Sequence, residues 1–482
     1  MHSGSVCRTT GDMELRRKEP PMHAETFSFG RHGKSRTPGV ISVPAGMCND
    51  GNDSDDSQCD LSDDEPKQTT GMLRSQTWSS HTGGMRRSEV ATLRPAAVAQ
   101  LHKLHEAFLS AGPTCTVEDT RHQTLDGDWG RSSSWQVYGD CPADREKPLR
   151  ARGFRAVGKR RGDAQSMLHG AGFAAINTKG QKSLTDASPG QDNFSVSHLP
   201  SGWEVLCVMD GHGHAGHWPA TRAVRTVPFF LAGSSCSTML RHGEVEAALT
   251  HAFDKAQADL KFRSLCERVD LQASGCTAVC VLWRESSRHV WVATCGDSRA
   301  VLFAPGRGVL AQTEDHKPSV PAENDRIYRC GGEVVCTRFD DGYVEWRVNL
   351  IGEDYPGISM TRSLGDLVVK NAGVIAEPQI VKWERAPGSM VIAATDGVWE
   401  FLSTETVVKM VLDCLEKGGS YDQALADIVQ ASRAAWKQHE GEYCDDITIV
   451  LASPEGTRSV RSSALRCFQG VCKSSPTGCM VS

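Results

Sequence analysis

Several apolar segments of this chain stop or start on aspartate. Asp210 closes "WEVLCVMD" (203–210), Asp297 closes "HVWVATCGD" (289–297), Asp396 closes "SMVIAATD" (389–396), and Asp445 and Asp446 stand before "ITIV". A further acid, Asp192, lies in "PGQDNF" (189–194). One strand-end aspartate is ordinarily a turn residue. The recurrence asks for another cause. Carboxylates brought together repel and take up protons unless a divalent cation neutralises them. Oxygen-only donors suit hard ions, Mg²⁺ or Mn²⁺. A pair of such ions makes a hydrolytic site for a phosphoryl group, lowering the pKa of bound water from about 16 towards 7. His212, His214 and His217 bunch in "DGHGHAGH" (210–217) and raise zinc as a rival. The remaining candidates are carboxylates, however, without the His and Cys spacings of a zinc site.

The elements needed to position these acids are legible. Runs rich in valine, isoleucine and aromatics, bounded by glycine, predict strands at 203–210, 276–283, 289–297, 299–304, 389–396 and 446–453. Helical spacing predicts helices over 244–262, over 404–419 with Ser403 as N-cap, and over 421–439. Strands in blocks with helices in pairs argue for antiparallel α+β layers, not a doubly wound parallel sheet. The helical and strand texture runs from 166 to 455. Residues 1–90 carry the acidic, serine-rich "NDGNDSDDSQCDLSDDE" (49–65) and read as a disordered extension. Residues 91–165 read as a partly helical linker, with an amphipathic helix at 94–112 and a basic, solvated stretch at 150–162. Residues 456–482 read as a flexible tail.

In order and spacing, the strings "GQDNF" (190–194), "DGHGHAG" (210–216), "SGCTA" (274–278), "GDSRAVL" (296–302), "DHKP" (315–318), "RIYRCGGEV" (326–334), "MTRSLGD" (360–366), "ATDGVWEFLS" (394–403) and "CDDITIV" (444–450) resemble the metal-dependent protein serine/threonine phosphatases of the PPM, or type 2C, class. The resemblance implies a four-layer αββα sandwich of two antiparallel sheets flanked by helix pairs. It also implies two catalytic Mg²⁺ or Mn²⁺ ions, with a weaker third. Asp210 would bridge the pair with a carbonyl from Gly211, and Asp396 and Asp445 would complete one ion's ligands. Asp192 would orient water, and His212 would act as general acid to the leaving serine or threonine. Asp297 and Glu400 match the third-ion site, where Glu400 departs from the usual aspartate. Gln191 replaces a common glutamate. The phosphate-binding arginine of many members is absent, leaving Lys179 and Lys182 as candidates. His214 and His217 have no counterpart. Arg299, Asp315, His316, Arg326, Arg362 and Asp366 read as holding turns and helix ends.

The expected activity is dephosphorylation of phosphoserine and phosphothreonine in proteins. An inactive relative binding phosphoproteins is the alternative, and a two-metal nuclease lacks a basic groove with interleaved aromatics. The net charge of −6 gives no reason to expect a nucleic-acid partner. Phosphorylated proteins are the expected partners and a monomer the expected state. No stretch of 18 uncharged apolar residues occurs, and the 18 cysteines include no CxxC pair. The setting expected from these features is reducing and cytoplasmic, with the nucleus also open. The last four residues, "CMVS", fit a C-a-a-X box, so Cys479 is a candidate for prenylation and peripheral membrane association.

Overall fold

The computed structural model describes residues 134–158, 162–339 and 342–455, together with the backbone of Gly39–Ser42. The expectations for 49–65, 94–112 and Cys479 lie outside the described residues.

Two antiparallel sheets face each other. One has seven strands in the order Gln379–Glu384, His289–Cys295, Ala278–Trp283, Glu204–Met209, Asn193–His198, Trp135–Gly139, Phe154–Gly158. The other has five, in the order Gly308–Gln312, Arg299–Ala304, Met390–Ala394, Ile447–Ala452, Phe173–Thr178. Strand side chains alternate between faces. Thus Leu206 and Val208 point between the sheets, where they join Phe194, Val279 and Val281 against Leu302, Val391, Ala393 and Val450. Their neighbours Val205, Cys207 and Met209 point outwards, onto the helices His217–Ala232 and Val245–Glu267. On the other side Val301, Phe303, Ile392, Ile449 and Leu451 meet Thr404–Glu416 and Tyr421–Glu440. A strand covered on both faces must be apolar throughout, which is why "EVLCVM" lacks alternation. The four-layer α+β sandwich expected from the sequence is the architecture observed.

Helix boundaries follow local chemistry. The Ser403 side chain accepts a hydrogen bond from Thr406 N at 3.2 Å, and Ser420 does the same for Gln423 N at 3.1 Å. Such N-caps each contribute about 1 kcal/mol. The expected linker differs from what is observed. Trp135–Gly139 and Phe154–Gly158 form the last two strands of the seven-stranded sheet, Phe154–Gly158 at its edge, pairing Trp135 with Gly158 and with His198. Their shortness and the intervening charges hid them from periodicity. Part of the basic stretch is therefore sheet edge, and Arg152 within it is buried against Glu146 at 2.7 Å.

Two smaller sheets complete the fold. Residues 337–357, whose sequence has no clear period, form most of a hairpin in which Gly332–Arg338 pairs with Val344–Leu350. Pro356–Ile358 adds to one side and Gly39–Ser42 to the other. Ile327, Val334, Val348, Ile358 and Val369 give this region its own small core. The other sheet joins Gly211–His212, Gly275–Cys276 and Leu364–Gly365. It brings three of the recognised strings to one place. Among the described residues, no helix is long and apolar enough to cross a membrane.

Candidate active site

Sheet register gathers the acids. Asn193 pairs with Met209, so Asp192 and Asp210 leave adjacent strands side by side. Ala394 pairs with Ile449, and Arg299 with Ala394, which brings Asp396, Asp445 and Asp297 to the same end of the opposite sheet. Gly211 follows Asp210 where the chain is crowded. A Cβ at this position would stand 2.6 Å from the Gln191 carbonyl oxygen, so only glycine fits.

The carboxylates act on one another. Burial raises Asp210 well above the ordinary aspartate range, and Asp396, Asp192 and Asp445 raise it further. Burial and the neighbouring Asp446 do the same to Asp192. Asp396 is pushed up to about 7 by burial, with Asp445 and Asp297 adding repulsion. Burial also raises Asp445, with Lys182 opposing it. Asp210 and Asp396 share a side-chain hydrogen bond. Among the described residues, no three acid, histidine or cysteine side chains already close round one point as ligands do. The donor chemistry nevertheless fits divalent cations. Buried oxygens of Asp192, Asp297 and Asp396 have no hydrogen-bond partner, and the mutual repulsion is of the kind a divalent charge relieves.

Each acid is held from behind. Asp192 Oδ2 accepts from Thr395 Oγ1 at 2.8 Å, and Arg152 Nη1 donates to the Asp192 carbonyl at 2.6 Å. The Asp210 backbone N–H donates to Thr277 Oγ1 at 3.0 Å. Asp445 accepts from Tyr443 Oη at 3.1 Å. Asp446 is turned away: its two oxygens accept from Gly180 N at 2.6 Å and Gln191 N at 2.5 Å. That bonding ties the 180–191 loop to the strand carrying Asp445. Thr395, Thr277 and Arg152 carried no functional signal that spacing alone reveals. The adjacency of Thr395 to Asp396 was the one available hint.

The two lysines part company. Lys179 Nζ pairs with Asp186 Oδ2 at 2.6 Å, and its side chain is 0% exposed. Its charge is thus committed to Asp186. Lys182 Nζ donates to Gln191 Oε1 at 2.6 Å. Burial pulls its pKa down, but Asp445, Asp446 and Asp210 outweigh that and hold it above the ordinary lysine value. Gln191, where a glutamate was the common alternative, also donates to the Gly213 carbonyl at 2.5 Å.

Asp297 has a cationic neighbour, Lys317 of "DHKP", whose Nζ bonds Oδ2. Glu400 lies one helical turn beyond Asp396, its N–H donating to the Asp396 carbonyl at 2.8 Å. His212 Nε2 sits 2.7 Å from Asp366 Oδ2, while its Nδ1 is buried without a partner. His214 is exposed, and His217 opens the helix His217–Ala232. Burial and then His214 and Arg152 lower the His217 pKa, so it is the neutral form that is favoured there. Arg299 grips Asp315 with two bonds of 3.0 and 2.8 Å, and Arg326 and Arg362 both bond Glu323. His316 Nδ1 lies within hydrogen-bond reach of Gly296 N and O. Each of these groups is thus engaged by a neighbouring side chain or backbone group.

The chain is similar to known proteins. A sequence model of the family "Protein phosphatase 2C" matches residues 173–440. A rice (Oryza sativa subsp. japonica) protein described as "Probable protein phosphatase 2C 64" is 35% identical over 262 residues, covering 52% of this chain and 59% of its own length. An Arabidopsis thaliana protein, "Probable protein phosphatase 2C 61", is 32% identical, covering 54% of this chain and 79% of its own. Among solved structures, the serine-threonine phosphatase 2C of Toxoplasma gondii aligns with a TM-score of 0.46 at 21% identity, over 58% of this chain and 95% of that one. With the family's sequence pattern matched over more than half of its length, the chain belongs to the protein phosphatase 2C family.

Proposed function

We propose that this chain hydrolyses phosphoserine and phosphothreonine in proteins, using two Mg²⁺ or Mn²⁺ ions held by Asp210, the Gly211 carbonyl, Asp396 and Asp445. The observation carrying the proposal is the convergence of Asp192, Asp210, Asp396 and Asp445, whose proton affinity is raised by burial and then by neighbouring carboxylates. Bound divalent ions supply Lewis acidity and an activated water. Asp297 and Glu400 are the acids suited to a weaker third ion.

The chain's own groups do the rest. Lys182 offers a cation beside the acids and attracts the phosphate as a point charge. Asp192, anchored on Thr395, keeps one oxygen free to accept a hydrogen bond from the attacking water. Water oxygen then bonds to phosphorus as the bond to the serine or threonine oxygen breaks. His212 delivers a proton to that oxygen, a service worth about 10²–10⁴-fold for a poor leaving group. A thiol nucleophile has no support. Burial and the neighbouring Asp445 push Cys444, next to the acids, up to about 12, and thiolate is the reactive form. Direct displacement by water follows.

The test is turnover of a phosphothreonine peptide by the purified protein with Mn²⁺ and with chelator. Turnover that needs Mn²⁺ and vanishes in Asp210→Ala is expected. Peptide binding without turnover would replace this reading with that of an inactive phosphoprotein-binding relative.

A further inference from the structure

The geometry points to Asp366 as the positioning residue of His212, fixing which imidazole nitrogen meets the leaving oxygen. This rests on the phosphatase reading above, in which His212 is the proton donor. "MTRSLGD" was read as holding turns, yet its carboxylate is fully buried 2.7 Å from His212 Nε2. Nε2 is thereby engaged, and Nδ1, buried without a partner, is the ring nitrogen left unbonded. An imidazole whose second nitrogen is bonded to a carboxylate keeps one tautomer and one ring orientation.

The local backbone is shaped around that contact. Asp366 has φ 45° and ψ 54°, a left-handed conformation that non-glycine residues seldom adopt. Strain of this sort persists where the surroundings impose it, and such positions concentrate at functional sites. Three contacts impose it here. The Asp366 N–H donates to the Ser274 carbonyl at 2.9 Å, and Leu367 N donates to the Leu271 carbonyl at 2.9 Å. From the helix Val245–Glu267, Gln257 accepts from Gly365 N at 2.8 Å and donates to the Gly365 carbonyl at 3.3 Å. Opposite the carboxylate stands Gly275, where a Cβ would collide with the Asp366 side chain. The glycine of "SGCTA" thus clears the space that the aspartate of "MTRSLGD" fills, and the strand bearing His212 pairs with that same glycine.

The carboxylate is itself oriented. Ser363 Oγ donates to Asp366 Oδ2, and Lys370 Nζ donates to the Ser363 carbonyl at 2.6 Å and its Oγ at 3.1 Å. Burial disfavours an ionised Asp366, but His212 and Lys370 outweigh this and keep its pKa below the ordinary value. The chain His212–Asp366–Ser363–Lys370 is continuous, and His212 is its member next to Asp210 and Gly211 in sequence.

The experiment uses leaving groups. A threonine alkoxide needs a proton as it departs, whereas p-nitrophenolate leaves without one. Asn tolerates the left-handed backbone and has the same shape, so Asp366→Asn is the fold-preserving change. In the full chain with saturating Mn²⁺, its kcat on a phosphothreonine peptide is expected to fall about 10–100-fold. On p-nitrophenyl phosphate it should fall less than about threefold, with peptide KM and Mn²⁺ affinity unchanged. Ser363→Ala, which leaves the carboxylate in place, should show the same selectivity at a few-fold size, and it decides the matter if Asp366→Asn does not fold. Equal loss on both substrates, or no loss on either, overturns the positioning role. A wild-type protein inert towards both substrates overturns the phosphatase reading itself, and the proposal with it.

Discussion

Replacing Asp396 by asparagine should destroy activity and yet stabilise the protein when divalent ions are withheld. In the folded chain its carboxyl titrates at about 7 because burial, Asp445 and Asp297 disfavour its charge. An unfolded aspartate titrates near about 3.9. The folded state therefore holds this proton where the unfolded chain has released it. Stability contributed by the group is intact below about pH 4 and declines as pH rises through about 7. Three units at about 1.4 kcal/mol each give about 4 kcal/mol as the full effect above that range. The proton is shared with Asp210 through their hydrogen bond, so part of the repulsion is already relieved and about 2–4 kcal/mol is expected. Asparagine has no such proton to lose, and its Oδ1 can still accept from Asp210. Thermal melts in chelator should show Asp396→Asn roughly 5–10 °C above wild type at pH 8, with the gap closing towards pH 4. With Mg²⁺ the order should reverse, since ions that bind only the folded wild type stabilise it by mass action. A gap that ignores pH, or a wild type more stable than Asp396→Asn in chelator at pH 8, would refute the reasoning.

Other outcomes follow from single contacts. Lys182→Ala should lower kcat/KM on a phosphopeptide about 10-fold or more, roughly one charge-assisted hydrogen bond, and lower the melting temperature in chelator, since it removes the cation that opposes repulsion at Asp445. Lys179→Met should act on stability alone. It strands Asp186, which its partners hold down at about 2 against the opposing effect of burial, and costs about 3–5 kcal/mol in urea denaturation with little kinetic change in the folded fraction. Thr395→Val keeps shape but removes the donor to Asp192, so kcat should fall while Mn²⁺ affinity, read by calorimetry, stays within about threefold. Gly397→Ala should abolish soluble expression, because its Cβ would overlap the Asp446 carbonyl, with no flexible group there to yield.

How much of this the sequence disclosed depends on the range of the interactions involved. The strands that carry the acids were visible because burial on both faces demands unbroken apolar runs, as in Arg299–Ala304, whose predicted and observed limits coincide. Helix starts at Ser403 and Ser420 are equally local, since a cap bonds a residue three positions away. Trp135–Gly139 escaped because a strand of five residues, all of them buried, is too short to show a period. Lys179 and Lys182 could not be separated from sequence, because what divides them is Asp186 on one side and the acids of a distant strand on the other.

Asp366 is the most instructive case. Its string was recognised, but recognition alone offered no role beyond a turn. The role depends on three chain segments meeting in the small sheet of Gly211–His212, Gly275–Cys276 and Leu364–Gly365. None of those two-residue strands would be sought from propensity. They form because the strings flanking them are fixed by the large sheets, so that the left-handed turn at Asp366 is imposed from outside. The division of labour is physical. Long apolar strands set where the acids stand, while short strained segments decide which way the surrounding side chains face. A substitution in the first class should be read in denaturation curves, and one in the second in leaving-group selectivity, even where the two residues lie in adjacent strands.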